Sequence, residues 1–293
     1  MPLDKTCILY PIAIDRKATL IYNRTMHLLN ILDWFGKKQY RDTTGGDIAW
    51  IRNRPIAHRG LHDPSRPENS IPAFEAAIAE NVCIEFDVQR SADGKFLVFH
   101  DENLRRMTGL DAIIHETPYS VIKDLRLAGT GYGIPLLEDV LELVAGKVPL
   151  LVEVKRHDKI DEEKVTGLLH AYKSEYDGKF AIQSFHPLVV KYMQKLSPEF
   201  FCGLLSSNFK NNKALRINKA GIKNARLFFL AKPDFISFEI NSFPNKRIAK
   251  FRDKGLLVLG WTVMTSEEIE KAKVFCDNII LEKTKLPNIL EVI

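Results

Sequence analysis

No stretch of the 293 residues carries the run of about 18 apolar side chains that a bilayer-crossing helix needs, so a membrane-spanning reading is excluded. Cysteine is scarce. Cys7, Cys83, Cys202 and Cys276 are widely separated, with no C-x-x-C pair, which removes zinc-ribbon and dithiol-redox readings and points to a reducing compartment. Internal repeats and low-complexity segments are missing, and 45% apolar with 27% charged residues leaves no room for a disordered or collagenous chain. The net charge of +5 is spread along the chain rather than gathered in a basic block, so a nucleic-acid partner is not expected. The apolar patch Ile8–Ile14 is broken by Pro11 and followed by Asp15 instead of a small-residue cleavage site. A secretory signal is therefore not expected, and the cytoplasm is the expected compartment.

From residue 55 onward, short β-branched and aromatic runs alternate with stretches of helical apolar spacing, the pattern of β-α units in a parallel sheet. Strands are predicted over 55–58, 83–88, 150–155, 180–185, 201–206, 235–240, 256–263 and 278–281. Helices are predicted over 71–80, 136–145, 161–174, 187–196, 218–230, 244–254 and 266–274, with a last turn after Pro287. Eight such units are the number that closes a (β/α)₈ TIM barrel. The run Phe96–His100 breaks the alternation, because the linker 91–95 is too short for a parallel crossover and must form a β-hairpin. A turn centred near Asp93 makes facing positions sum to about 185 or 186, which sets His100 opposite Glu85 or Phe86. Residues 1–50 lie outside this rhythm and form an N-terminal extension with a helix over 20–38; residues 51–293 form the barrel domain.

In the second strand Ile84, Phe86 and Val88 alternate with Glu85 and Asp87, so the period of two puts both carboxylates on one face. The apolar face meets the helices and the carboxylates point into the barrel mouth, where like charges need a neutralising cation. The strand 150–155 repeats the device with Glu153 and Lys155. Three carboxylates, all oxygen donors, suit one divalent cation, Mg²⁺ or Ca²⁺. The competing reading is a structural ion-pair network of these acids with Lys155 and Arg59. His58 and His100 end strands at the same rim, and imidazole is the side chain best matched to proton transfer near neutral pH. The remaining histidines, His62 among them, are read as surface or packing residues.

Several ordered motifs then become recognisable: His58-Arg59-Gly60, Pro67-Glu68-Asn69-Ser70, Glu85-Phe86-Asp87-Val88, Asp93-Gly94 and His100-Asp101. They continue with Leu104-x-Arg106-x-Thr108-Gly109, Ile134-Pro135-Leu136-Leu137-Glu138 and Glu153-Val154-Lys155. In this set the chain resembles the glycerophosphodiester phosphodiesterase family, with weaker echoes at Ser184-Phe185 and Trp261-Thr262-Val263. The resemblance implies that Glu85, Asp87 and Glu153 bind the cation, that His58 and His100 exchange protons, and that Arg59 and Lys155 hold the phosphate. Arg supplies a bidentate fork and Lys a point charge for such a group. Glu68 and Asn69 would support the site or cap the following helix; Phe185 and Trp261 would line the alcohol pocket or pack the barrel. Met264 stands where the family often has Asn.

The resulting expectation is a hydrolase that splits small glycerophosphodiesters into an alcohol and glycerol 3-phosphate, through a cyclic phosphate. The rivals are a lysophospholipid-directed phosphodiesterase on the same scaffold and, in another class, a non-catalytic binding barrel. A barrel aldolase or sugar isomerase using a divalent metal is disfavoured by the paired histidines without a Schiff-base lysine candidate. The stripe Leu28, Ile31, Leu32 and Phe35 allows membrane contact, but packing on its own domain is favoured.

Overall fold

In the computed structural model the described residues are 40–156, 161–207 and 231–282. Two compact units, residues 1–40 and 41–293, make up the chain. The predicted helices over 20–38 and 218–230 and the turn after Pro287 lie outside the described residues. Among the described residues no helix is long and apolar enough to cross a membrane.

The second unit is built on β1 (Ile56–His58), β2 (Cys83–Arg90), β3 (Phe96–Val98), β4 (Leu150–Val154), β5 (Phe180–Ser184), β6 (Cys202–Ser206), β7 (Phe235–Glu239), β8 (Leu257–Val263) and β9 (Asn278–Leu281). Each predicted strand is present, with bounds that differ by at most two residues. β1, β2 and β4 to β9 pair in parallel, and β1 bonds both β2 and β9, closing an eight-stranded barrel. Helices α1 (Ile71–Ala79), α2 (Leu137–Val144), α3 (Glu162–Tyr176), α4 (Pro187–Leu196), α5 (Lys246–Arg252) and α6 (Ser266–Phe275) fall between the strands.

The period of two sorts the interior into layers. Ile56, Cys83, Leu151, Ala181, Phe235, Leu257 and Ile280 form an apolar floor, and Ile48, Trp50 and Ile51 belong to the same cluster. Residues 41–50, read from the sequence as part of the extension, thus fall in the barrel unit, and Ile48 and Trp50 pack in its core. At Gly203 a Cβ would come within 2.1 Å of the Phe235 ring, so only glycine lets that ring fill the floor. Above the floor come Glu85, Asp87, Glu153, Gln183 and Ser237, all buried and all polar.

β1 is short, and its pairing with β2 ends at His58 opposite Glu85. Beyond that point the edge of β2 would be unpaired. β3 takes it up antiparallel, with Val98 opposite Val88 and Phe96 opposite Arg90, and Phe99 N–H continues the ladder to the Asp87 carbonyl at 3.0 Å. The pairs sum to 186, one of the two predicted registers, so His100 stands level with Phe86. The strand itself ends at Val98 rather than His100.

After His100 the chain forms short helices over Arg105–Thr108, Ile114–Glu116 and Tyr119–Ile122 before α2. Leu97, Phe99, Leu104, Met107, Ile114, Ile122 and Leu127 give this insertion a buried cluster of its own. Its apolar residues lack a sustained period, so the sequence reading assigns no elements there.

Candidate active site

The polar layer is held by hydrogen bonds from several strands. Asn69 Nδ2 donates to Asp87 Oδ2 at 2.8 Å, Arg59 N–H donates to Glu85 Oε2 at 3.1 Å, and Gln183 Nε2 reaches Glu85 Oε1 at 3.4 Å. Ser237 Oγ donates to Gln183 Oε1 at 2.7 Å, which fixes the amide so that its NH₂ faces Glu85. Lys155 Nζ lies 2.9 Å from Asp87 Oδ1 and 2.7 Å from Glu153 Oε1. The Arg59 guanidinium lies 3.5 Å from Asp87 Oδ2 and 2.7 Å from Glu68 Oε1.

Arg59 and Asn69 both have left-handed backbone, with φ of 56° and 54°. For residues other than glycine this costs about 1–3 kcal/mol. The turn it creates sends the Arg59 N–H to Glu85 while its carbonyl accepts from Asn69 N–H at 3.0 Å. Gly60 completes the turn at φ 80°, where a Cβ would meet the Phe74 ring at 2.9 Å and the Ala73 carbonyl carbon at 3.0 Å on α1.

One oxygen each of Glu85, Asp87 and Glu153 lies within 4.8 Å of the others. At that spacing each carboxylate pair repels by about 3 kcal/mol at an effective dielectric of about 20, several times thermal energy. Burial would raise Asp87, but Lys155, His100, Arg59 and the Asn69 bond hold it far below the ordinary carboxylate range. Burial works against the Lys155 charge, yet Asp87 and Glu153 keep its pKa above normal. Glu85 accepts from N–H groups, and burial, followed by the charges of Asp87 and Glu153, pushes it well above its usual value. Burial also raises Glu153, against the opposing Lys155 charge, so these two are the groups that need a proton or a cation. A buried, all-carboxylate donor set with charge still to be balanced fits a hard divalent ion such as Mg²⁺ or Ca²⁺.

Both histidines are anchored through Nδ1 on a carboxylate: His58 on Glu282 at 3.2 Å and His100 on Asp101 at 2.6 Å. An ionised carboxylate can only accept, so each Nδ1 carries the hydrogen, and in the neutral ring Nε2 holds the lone pair. Burial first, and Arg59 after the opposing Glu282 bond, lowers the pKa of His58. Gln89 Nε2 donates to the Phe99 and Asp101 carbonyls at 2.7 and 2.9 Å, pinning the segment that carries His100. The rings of Phe185 and Trp261 meet edge to face, with centroids 5.5 Å apart, and the buried Trp261 Nε1 has no hydrogen-bond partner among the described residues.

The structure thus links Arg59, Glu68, Asn69, Glu85, Asp87, Glu153 and Lys155 by hydrogen bonds and ion pairs, and sets His58 and His100 within the electrostatic reach of Asp87. Glu68 and Asn69 bond Arg59 and Asp87; the helix cap position belongs to Ser70. His62, read as a surface or packing residue, has its pKa lowered by burial and lies in the field of Glu282 and Glu68. Sequence reasoning missed Glu282, Gln183 and Asp101 as partners. Glu282 and Gln183 had one available signal, a polar residue in step with the inward face of its strand.

Residues 58–284 match the Glycerophosphoryl diester phosphodiesterase family. The Glycerophosphodiester phosphodiesterase of Bacillus altitudinis is 32% identical over 163 residues, covering 52% of this chain and 65% of that protein. YhdW of Bacillus subtilis is 30% identical over 236 residues, covering 74% of this chain and 88% of YhdW. The solved structure of an Oleispira antarctica phosphodiesterase, in complex with the product sn-glycerol-3-phosphate, superposes with a TM-score of 0.63 at 22% identity, covering 80% of this chain and 94% of that one. With the match spanning both the barrel and the rim that carries the histidines and carboxylates, the chain belongs to the glycerophosphoryl diester phosphodiesterase family of hydrolases.

Proposed function

We propose that this chain hydrolyses glycerophosphodiesters to an alcohol and glycerol 3-phosphate, with His58 and His100 moving the protons. The observation that carries the reading is the pair of carboxylate-anchored histidines beside a buried cluster of three acids. Glu85, Asp87 and Glu153 would hold one divalent cation, which when bound supplies positive charge against the phosphoryl oxygens. Arg59 and Lys155 grip the phosphate, the first as a fork and the second as a point charge.

A glycerol diester carries a hydroxyl on the carbon next to the phosphoryl ester. Held in line by Arg59 and Lys155, it attacks phosphorus within the same molecule, and such placement is worth effective molarities of about 10⁵ M or more. His58, kept neutral by burial, takes the hydroxyl proton at Nε2. His100 gives a proton to the departing alcohol oxygen as its bond to phosphorus breaks, leaving a cyclic phosphate. The roles then reverse: His100 takes a proton from water as it opens the ring, and His58 returns one to the glycerol oxygen. Phe185 and Trp261 line the alcohol side. The buried free thiols of Cys83, Cys202 and Cys276 accord with a cytoplasmic setting.

The test is a screen of glycerophosphodiesters and micellar lysophospholipid, with and without a chelator, identifying both products. Glycerol 3-phosphate released from soluble diesters and abolished by chelation is expected. Turnover of lysolipid alone would reassign the substrate, and no turnover would leave a binding barrel. A 2-deoxy analogue hydrolysed at the same rate as glycerophosphocholine would remove the cyclic intermediate.

A further inference from the structure

The motif Leu104-x-Arg106-x-Thr108-Gly109 is given no task by the chemistry above, yet Arg106 reaches the rim. We propose that Arg106 is a positioning residue that uses one guanidinium to set both the orientation of His100 and the placement of Arg59. This inference rests on the acid-base reading of His100 in the proposed function.

The geometry is a double fork. On one side Arg106 Nε and Nη2 donate to the two oxygens of Asp101, the second at 3.1 Å. On the other, Nη1 and Nη2 donate to the two oxygens of Glu68 at 3.0 and 2.6 Å. Each carboxylate then has one further client. Asp101 Oδ1 accepts from His100 Nδ1 at 2.6 Å, and Glu68 Oε1 accepts from Arg59 Nη1 at 2.7 Å. With both oxygens of each carboxylate tied, neither can rotate, so the ring plane of His100 and the fork of Arg59 are fixed from the same planar group.

Arg106 is itself anchored by its neighbours. Leu104 and Met107 are buried in the insertion's own core, and the helix Arg105–Thr108 ends at Gly109 in the left-handed region. The Arg106 side chain remains 48% exposed, so a small solute can reach its place. Lysine could serve one carboxylate but cannot present the planar double fork.

The test compares wild type with Arg106→Gln, Arg106→Ala and Arg106→Lys in the full chain with its divalent ion. Nitrogen NMR of ¹⁵N-histidine protein reads the His100 ring without any turnover: the wild type should show a single Nδ1–H tautomer, and Arg106→Gln an averaged one. Kinetics use glycerophosphocholine, whose alcohol needs a proton to leave, and a glycerol nitrophenyl phosphodiester, whose phenolate does not. The expected loss in the single-turnover rate of alcohol release is about 10-fold to 100-fold on the first and much smaller on the second, the ring opening common to both lying after the step that is read. KM should rise on both through Arg59, Arg106→Lys should recover little, and free guanidinium should partly restore Arg106→Ala. Unchanged His100 signals in Arg106→Gln, or equal losses in the single-turnover rate of alcohol release from both diesters without guanidinium rescue, would overturn the proposal. If the wild type turned over neither diester, the functional reading would fall, and the NMR comparison would still decide whether Arg106 sets His100.

Discussion

Glu282 accepts the Nδ1 hydrogen of His58 at 3.2 Å across 224 positions of chain. It stands one residue past β9, which bonds β1, so closure of the barrel delivers the carboxylate to the histidine. Burial lowers the His58 pKa and the Glu282 bond partly offsets it. Glu282→Ala should therefore move the acidic limb of the kcat/KM profile to lower pH and cut kcat by about 10-fold or more, because the ring loses its orienter. A pH–rate profile unchanged in both limb and height would remove this role.

The three-carboxylate cluster predicts a stabilising ion. At a concentration about 100 times its Kd, the cation should add about 2.7 kcal/mol. For a barrel of this size that corresponds to a rise of about 5 °C or more in Tm. Calorimetry with Mg²⁺ or Ca²⁺ and with chelator measures it. Asp87→Asn and Glu153→Gln should abolish the increment; a retained rise would move the ion elsewhere.

Glu68 supplies a pH dependence of stability. Burial works to raise it, but the Arg106 hydrogen bond and the Arg59 and Arg106 charges hold its pKa at about 2, below an ordinary 4.5. A depressed carboxylate stabilises the fold above its unfolded pKa, and that contribution disappears as pH falls from about 4.5 toward 2; for this shift it is on the order of 3 kcal/mol. In Glu68→Gln, urea unfolding between pH 6 and pH 3 should show a shallower loss of stability than in wild type. Parallel curves would show that Glu68 titrates alike folded and unfolded.

Gly60 ties the backbone of the Arg59 turn to α1. Gly60→Ala forces a Cβ against Ala73 and Phe74 at positive φ. It should cost about 1–3 kcal/mol in stability and raise KM by displacing the Arg59 fork. Wild-type stability and KM would show that the turn relaxes freely.

Much of the barrel and its rim was legible because a strand's period of two is local. Glu85 and Asp87 share a face whatever surrounds them, and the short turn at Gly94 limits the hairpin to neighbouring registers, of which the 186 sum is observed. The same local signal separated Glu153 and Lys155 from Val152 and Val154. What the local pattern could not hold is which distant groups meet. Glu282 reaches His58 only because β9 bonds β1, and Gln183 faces Glu85 only because Ser237, from β7, turns its amide. Arg106 finds Glu68 only because the insertion folds on its own core beside the rim. A barrel interior is crossed by side chains from strands far apart in sequence. The residue types at the site were therefore set by strand parity, while their hydrogen-bond partners were decided by closure of the sheet and packing of the insertion.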